Sequence, residues 1–312
     1  MCDRGKTVEN RFYQELCQTV GKINVLLDEP MWKHTTFRVG GNATYFVAPE
    51  SAEQVKNVIQ VCEKNQIPFY VIGNGSNLLV SDEGFSGVIL QICSKMDRYE
   101  MKEGKIKVQA GALLTKVANR VSKEGYAGME FAVGIPGTVG GAVAMNAGAY
   151  GGEIKDVITS ALVLTKEGEI IRLDKDGLNL GYRSSAVVEQ EYVVLEVEFQ
   201  LEKGDVEEIK ARCNENTRAR MEKQPLEYPS AGSTFKRPEG YFAGKLIMDA
   251  GMKGYTVGGA QVSEKHCGFV INKGQATARD VVDVITRVQE KVQKIFGVTL
   301  ETEVKMIGFK KE

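Results

Sequence analysis

The sequence predicts an α+β protein of two domains, or a split arrangement of three, on three observations. At 312 residues the chain is longer than a single hydrophobic core comfortably serves. Up to about residue 202, strand-like and helix-like segments interleave with turn signals between them. A charged stretch, "GDVEEIKARCNENTRARMEKQPLEYP", then changes the composition before short β segments, a long helix and a last strand.

Taken in order, residues 8–29 read as a charged, weakly amphipathic helical lead-in ending near "LLDEP". "TTFRVGGNATYFVAPES" reads as a hairpin around Gly-Gly-Asn. "SAEQVKNVIQVCEKN" carries Val55, Val58, Ile59 and Cys62 at helical spacing, with Ser51 and Gln54 as a capping box. "IPFYVIG" is a buried-strand candidate that "NGSN" interrupts before "LLVSDEGFSGVILQI". "KIKVQAGA" follows as a strand and "LLTKVANRVSKEG" as a helix, then a glycine-rich run from Gly134 to Gly152. "ITSALVLTKEGEIIRL" reads as a hairpin and "YVVLEVEFQL" as a strand. The clearest helix is "TARDVVDVITRVQEKVQKIFG". Val281, Ile285, Val288, Val292 and Ile295 make one stripe, Thr277 and Asp280 a capping box, and Gly297 the stop. "VTLETEVKMIGF" closes as a strand.

Composition excludes several function classes. With 40 basic and 41 acidic residues the formal net charge is -1, so there is no basic excess for a nucleic-acid backbone, although a local site for one or two phosphates is compatible with it. Six cysteines form no Cys-x-x-Cys pair and no Cys/His cluster, which argues against structural metal sites. Only His34 and His266 are present, so a serine–histidine hydrolase or a multi-histidine metal site is poorly supplied. The first residues lack the apolar stretch of a signal peptide, and no run approaches the ~20 apolar residues of a membrane span. The expectation is a cytoplasmic, reduced setting, with no metal, nucleic-acid or membrane partner, and a monomer.

Five segments could carry chemistry. "VIGNGSNLLVSDEGFSG" places Gly73, Asn74, Gly75, Ser76, Asn77 and Leu78 where converging amide N–H groups could hold an anion, or where an Asn-Gly turn sits. It lacks the third glycine and following helix of a dinucleotide fingerprint. "GIPGTVGGAVAMNAGAYGGE" has seven glycines in twenty residues, so a flat or extended ligand could lie against its main chain; its apolar residues argue against a solvated linker. "LGYRSSAV" offers Arg183 as a fork for a carboxylate or phosphate, or as an ordinary surface arginine. "SAGSTFKRPEGYFAGKLI" holds Ser233 outside any Gly-x-Ser-x-Gly elbow, where it reads equally as a turn residue. In "LETEVKMIG", alternation sets Glu301, Glu303 and Lys305 opposite Leu300, Thr302, Val304 and Met306, most simply a solvated face.

In this order, Gly-Asn-Gly-Ser-Asn-Leu-Leu, Gly-Ile-Pro-Gly-x-x-Gly-Gly, Tyr-Arg-x-Ser, Gly-Ser-x-Phe-Lys and Glu-x-Glu-Val resemble the UDP-N-acetylenolpyruvoylglucosamine reductases, bacterial flavoenzymes of peptidoglycan precursor synthesis. The resemblance covers about residues 30–308. It implies an FAD-binding fold of the vanillyl-alcohol oxidase and p-cresol methylhydroxylase type with two subdomains, over residues 35–201. A lead-in of residues 1–34 would precede it, and an α+β substrate-binding domain of residues 205–308 would follow. It further implies non-covalent FAD cradled by residues 73–78 and by Gly134, Ile135, Pro136, Gly137, Thr138, Gly140, Gly141, Ala142, Asn146, Gly148 and Ala149. NADPH is the implied reductant and UDP-N-acetylglucosamine enolpyruvate the small-molecule substrate.

By the same resemblance Arg183 stabilises the enolate, Ser233 gives the proton, and Glu303 assists as an acid or orients the site. Lys223, Lys236, Arg237 and His266 stand as substrate contacts, Arg237 where some relatives carry asparagine. The short chain after the arginine motif matches the form without an extra tyrosine-bearing loop. The competing readings are an FAD oxidase of an alcohol or lactone on the same fold, and a nucleotide-binding sensor without turnover.

Overall fold

The computed structural model describes residues 3–310, with side chains from residue 11 onward; Cys2 lies outside the described residues. The chain is α+β and forms two compact units, neither continuous in sequence. The first contains Thr44–Asn74 and Ser86–Thr217 with the N-terminal segment, and the second Pro30–Ala43, Gly75–Phe85 and Arg218 onward.

In the first unit the N-terminal helix Asp3–Val20 buries Phe12, Leu16 and Val20, and Phe12 meets Tyr45 edge to face at 5.0 Å. Gly21, at φ 84, takes the chain out of the helix, so the lead-in ends there and "VLLDEP" is a strand, Val25–Pro30, rather than more helix. That strand lies beside Asn42–Val47 in a four-stranded sheet completed by Phe85–Gln91 and Phe69–Ile72, the last two parallel. The hairpin expected around Gly-Gly-Asn is therefore absent. Residues 35–41 are not a strand, because Arg38 at φ 55 and Gly40 at φ 112 bend the backbone out of extended geometry.

Ser51 caps Ala52–Lys64 by accepting from Gln54 N, but the reciprocal bond comes from Glu50 N, one residue earlier than a capping box requires. A five-stranded antiparallel sheet runs in the order Ile170–Asp174, Ile158–Leu164, Val193–Gln200, Lys105–Gln109, Tyr99–Lys102. Its inward residues, Ile106, Val108, Ala161, Val197 and Phe199 among them, share one core with Leu114, Val117 and Val121 of the helix Leu114–Lys123. The charged helix Val206–Lys223 begins in this unit, where Arg212 lies 3.0 Å from Glu130 and Asn216 donates to the Glu130 carbonyl.

The second unit has its own core, in which Phe37 and Leu79 from the early segments pack with Ile247, Val281, Val288 and Val292. The helix Ala278–Phe296 has the expected Thr277–Asp280 capping box, and Gly297 ends it at φ 68. Val281, Ile285, Val288 and Val292 are buried, each contributing roughly 1.5–3 kcal/mol, whereas Ile295 is half exposed and belongs to the outer face. Asp82 adds a second cap, its two carboxylate oxygens accepting from Ala278 N and Arg279 N at 2.7 and 2.9 Å. The closing segment is strand only over Lys305–Ile307, parallel to Leu78–Val80, and earlier it makes a single bridge between Thr302 and Phe235. A three-stranded sheet, Thr256–Val257, Ala260–Val262 and Val270–Asn272, completes the unit. Among the described residues, no helix is long and apolar enough to cross a membrane, and no cluster of histidine, cysteine and carboxylates is placed to hold a metal ion.

Candidate functional site

Two of the sequence motifs meet inside the first unit. The strand Phe69–Ile72 delivers Gly73 so close to Thr138 that a Cβ there would lie 2.2 Å from the threonine Oγ1. The next residue, Asn74, donates from Nδ2 to the Pro136 carbonyl at 2.6 Å. Only glycine lets the loop close this way. Thr138 is buried and caps the short helix Val139–Ala144 by accepting from Gly141 N. Within the second unit Gly75, at φ 61, runs so near the His34 carbonyl that a Cβ would sit 2.0 Å from its oxygen.

The N–H groups of residues 73–77 donate to no acceptor among the described residues. Within the second unit, the three successive unpaired amides of Gly75, Ser76 and Asn77 are an anion-binding arrangement, because N–H groups without a partner are costly unless a ligand or water accepts from them. In the first unit the run from Gly134 divides into two kinds of position. Gly141 is exposed and has room for a side chain, Gly134, Gly137 and Ala149 are half-buried, and Gly148 packs against Glu153, where a Cβ would lie 2.8 Å from the glutamate Cβ. Gly140 and Ala142 face inward, Gly140 against Ala110, where a Cβ would lie 2.9 Å from the alanine Cβ. Ile135 packs on the core, and Leu78 is 4% exposed.

Asn146 is fully buried at φ 38, its Nδ2 donating to Glu153 Oε2 at 2.8 Å and to the Gly181 carbonyl at 3.0 Å. Its Oδ1 accepts from Lys155 N. Arg183 belongs to the same unit. Gly181 and Ser184 pair across a tight turn that has Tyr182 and Arg183 at its tip, the arginine at φ 55 and its guanidinium 5.2 Å from the Tyr182 ring centre.

Ser233 and Glu303 belong to the second unit, and a single buried residue joins their segments. Thr234 donates from N to the Gly268 carbonyl, accepts from Val270 N through Oγ1, and accepts from Glu303 N through its carbonyl at 2.8 Å. Ser233 precedes it, after Gly232 at φ 76, and its hydroxyl makes no hydrogen bond among the described residues. Asn77 holds the glutamate segment from the other side. Its Nδ2 donates to the Glu303 carbonyl and its own carbonyl accepts from Lys305 N.

Lys223 is an exposed helix end. Lys236 pairs with Glu301 at 3.0 Å on the surface, and Arg237 lies 3.9 Å from the Phe242 ring centre and donates to the Tyr241 carbonyl. His266 is half-buried against Phe269, and its Nδ1 accepts from Gly268 N at 3.1 Å, which leaves the proton on Nε2.

Burial holds the His266 pKa below its ordinary value. The unfolded chain then binds the extra proton first as pH falls, so stability declines below the ordinary imidazole pKa of ~6.5 and is regained above it. Melting followed between pH 7.5 and 5.5 should show a lower midpoint at the acid end, and His266→Gln should flatten that dependence. A drop undiminished in that variant would assign the pH dependence elsewhere.

Thr234 and Ser185 escaped the sequence reading. Each stands next to a singled-out residue, but a buried hydroxyl that joins distant segments has no local pattern. Ser185 is fully buried, and its Oγ donates to the Ala144 carbonyl at 2.7 Å.

Residues 224–307 match the family described as UDP-N-acetylenolpyruvoylglucosamine reductase, C-terminal domain, and residues 43–174 match an FAD binding domain. A reductase of that name from Clostridium botulinum (strain Okra / Type B1) is 54% identical over 95% of this chain and 97% of its own. One from Lachnoclostridium phytofermentans is 53% identical over 97% and 99%. The crystal structure of UDP-N-acetylenolpyruvylglucosamine reductase from Thermus caldophilus is similar with a TM-score of 0.77 at 36% identity, covering 90% of this chain and 97% of that one. Near-complete coverage on both sides, with both domains matched in order, shows that the chain belongs to the UDP-N-acetylenolpyruvoylglucosamine reductase family.

Proposed function

We propose that the protein reduces the enolpyruvyl group of UDP-N-acetylglucosamine enolpyruvate to the lactyl ether of UDP-N-acetylmuramate in peptidoglycan precursor synthesis, with NADPH as reductant and non-covalent FAD. The observation that carries this reading is the near-full-length identity to reductases of that name. The residues present fit the flavin nucleotide. The unpaired amides of Gly75, Ser76 and Asn77 suit a phosphate group, and Gly141, exposed with nothing nearer than 3.5 Å to an added Cβ, leaves room for a planar or extended group. The chemistry FAD supplies when bound is hydride carriage from NADPH to the vinyl carbon.

The protein's own residues handle the charge and the proton. Hydride addition to the vinyl carbon leaves an electron pair at the carbon bearing the carboxylate. The guanidinium of Arg183 lowers the cost of that enolate by pairing with the carboxylate oxygens, where negative charge grows. The hydroxyl of Ser233, uncommitted to other hydrogen bonds, donates the proton to that carbon. Glu303 assists as an acid or by orienting the site, and Lys223, Lys236, Arg237 and His266 contribute polar contacts to the substrate.

An anaerobic flavin titration in two steps tests the reading. The purified protein should be yellow, NADPH should bleach it, and UDP-N-acetylglucosamine enolpyruvate should restore the colour. Colourless protein that binds no FAD would sink any flavoenzyme reading, and recolouring by oxygen but not by the enolpyruvyl substrate would favour an oxidase.

A further inference from the structure

Arg183 sits on a tight turn between Gly181 and Ser184, a poor platform by itself for a charge that must meet a substrate carboxylate. Two anchors secure this turn, one at each end. At its start the Gly181 carbonyl accepts from Asn146 Nδ2 at 3.0 Å, besides the cross-turn bond from Ser184 N. Just past its end Ser185 Oγ donates to the Ala144 carbonyl at 2.7 Å. Ala144 ends the short helix Val139–Ala144, so its carbonyl has no partner within that helix, and the serine supplies one. Both anchors come from three consecutive residues, 144–146, of the glycine-rich run.

Asn146 is committed by this arrangement. Both amide protons are used, one on Glu153 and one on Gly181, and its oxygen takes Lys155 N. The side chain is fully buried. It has the chemistry of a link between two loops rather than of a ligand contact, and asparagine also tolerates the left-handed backbone at φ 38.

We infer that Asn146 is a positioning residue, holding the Arg183 turn in register with the glycine-rich run through its bond to the Gly181 carbonyl. This rests on the proposed role of Arg183 and adds to it the device that places the guanidinium. A turn freed by about an ångström misaligns a charge whose value lies in preorganisation, and such misplacement costs on the order of 10²-fold in rate.

The test uses Asn146→Asp, which keeps the acceptor for Lys155 N and the backbone preference but turns an oxygen toward the Gly181 carbonyl. Because this also sets two carboxylates together, Asn146→Asp combined with Glu153→Gln serves beside it, since the amide and carboxylate exchange places and the 146–153 bond can re-form. The holoprotein of each is reduced with NADPH and reoxidised with UDP-N-acetylglucosamine enolpyruvate. Reduction should stay within about threefold of the unmodified protein, while reoxidation slows by roughly 10- to 100-fold. The double variant should regain the melting temperature but not the reoxidation rate. Recovery of rate together with melting temperature would make Asn146 a packing residue only and overturn the inference. Equal slowing of both steps would make it a flavin contact and also overturn it, as would no slowing at all. If the enolpyruvyl substrate does not reoxidise even the unmodified protein, the proposed function fails first and takes this inference with it.

Discussion

Ser233→Ala should leave reduction of the bound flavin by NADPH nearly unchanged and slow its reoxidation by the enolpyruvyl substrate by roughly 10²- to 10⁴-fold, the range that a positioned proton donor commonly contributes. The asymmetry follows from the chemistry. In the proposed reaction, hydride from NADPH requires no proton at the substrate carbon, whereas the second step stops at an enolate until a proton arrives. A methyl group in place of the hydroxyl disturbs little else, because Ser233 Oγ makes no hydrogen bond among the described residues and the segment is held by its neighbour Thr234. Rapid-mixing absorbance near the flavin band separates the two steps. Equal slowing of both, or of neither, would remove Ser233 from the proton-donor role. Acidity is the harder requirement, since serine is a weak acid, and the structure supplies one relevant fact. The segment carrying Glu303 is bonded to the residue after Ser233 and fixed again by Asn77, so both belong to one hydrogen-bonded assembly within the second unit.

The second large effect concerns the cofactor. Gly141→Leu should be tolerated by the fold and should weaken FAD binding roughly 10- to 100-fold, equivalent to the ~1.4–2.8 kcal/mol typical of an overfilled contact. Gly141 is exposed on a helix, and a Cβ there meets nothing nearer than Thr138 Oγ1 at 3.5 Å. Leucine also favours helix over glycine by ~0.8 kcal/mol, so the flavin-free protein should melt no lower than the unmodified one. Fluorescence titration of the flavin-free protein with FAD measures the affinity, and its melting curve provides the control. Unchanged affinity would place the flavin away from this run. Gly73→Ala makes a poorer probe, because a Cβ 2.2 Å from Thr138 Oγ1 would disturb the helix cap itself and confound fold with binding.

Local chemistry made much of this legible in the sequence. The Thr277–Asp280 box, the Gly297 stop and the Val281–Val292 stripe specify their helix through bonds and contacts within a few residues. The "ITSALVLTKEGEIIRL" hairpin forms as read for the same reason. Failures occurred where a strand's partner lay elsewhere. "VLLDEP" is too short and mixed to declare itself a strand, and only pairing beside Asn42–Val47 makes it one. The division into units was hidden more deeply. Residues 30–43 and 75–85 precede the second unit's main segment by more than 130 positions, yet Phe37, Leu79 and Asp82 are structural parts of it.

By itself, then, the sequence determined the α+β class, the principal helices, the glycine-rich segments and the residue types available for an oxidoreductase. Those depend on backbone propensity, periodicity and side-chain chemistry, which are properties of neighbours in the chain. Tertiary structure alone decided which glycines leave their main chain open and which merely pack, that Asn146 is spent on Glu153 and Gly181, and that Thr234 ties the serine segment to the glutamate segment. A buried polar group must find its partners wherever the fold brings them, and that demand leaves no mark on the residues beside it in sequence.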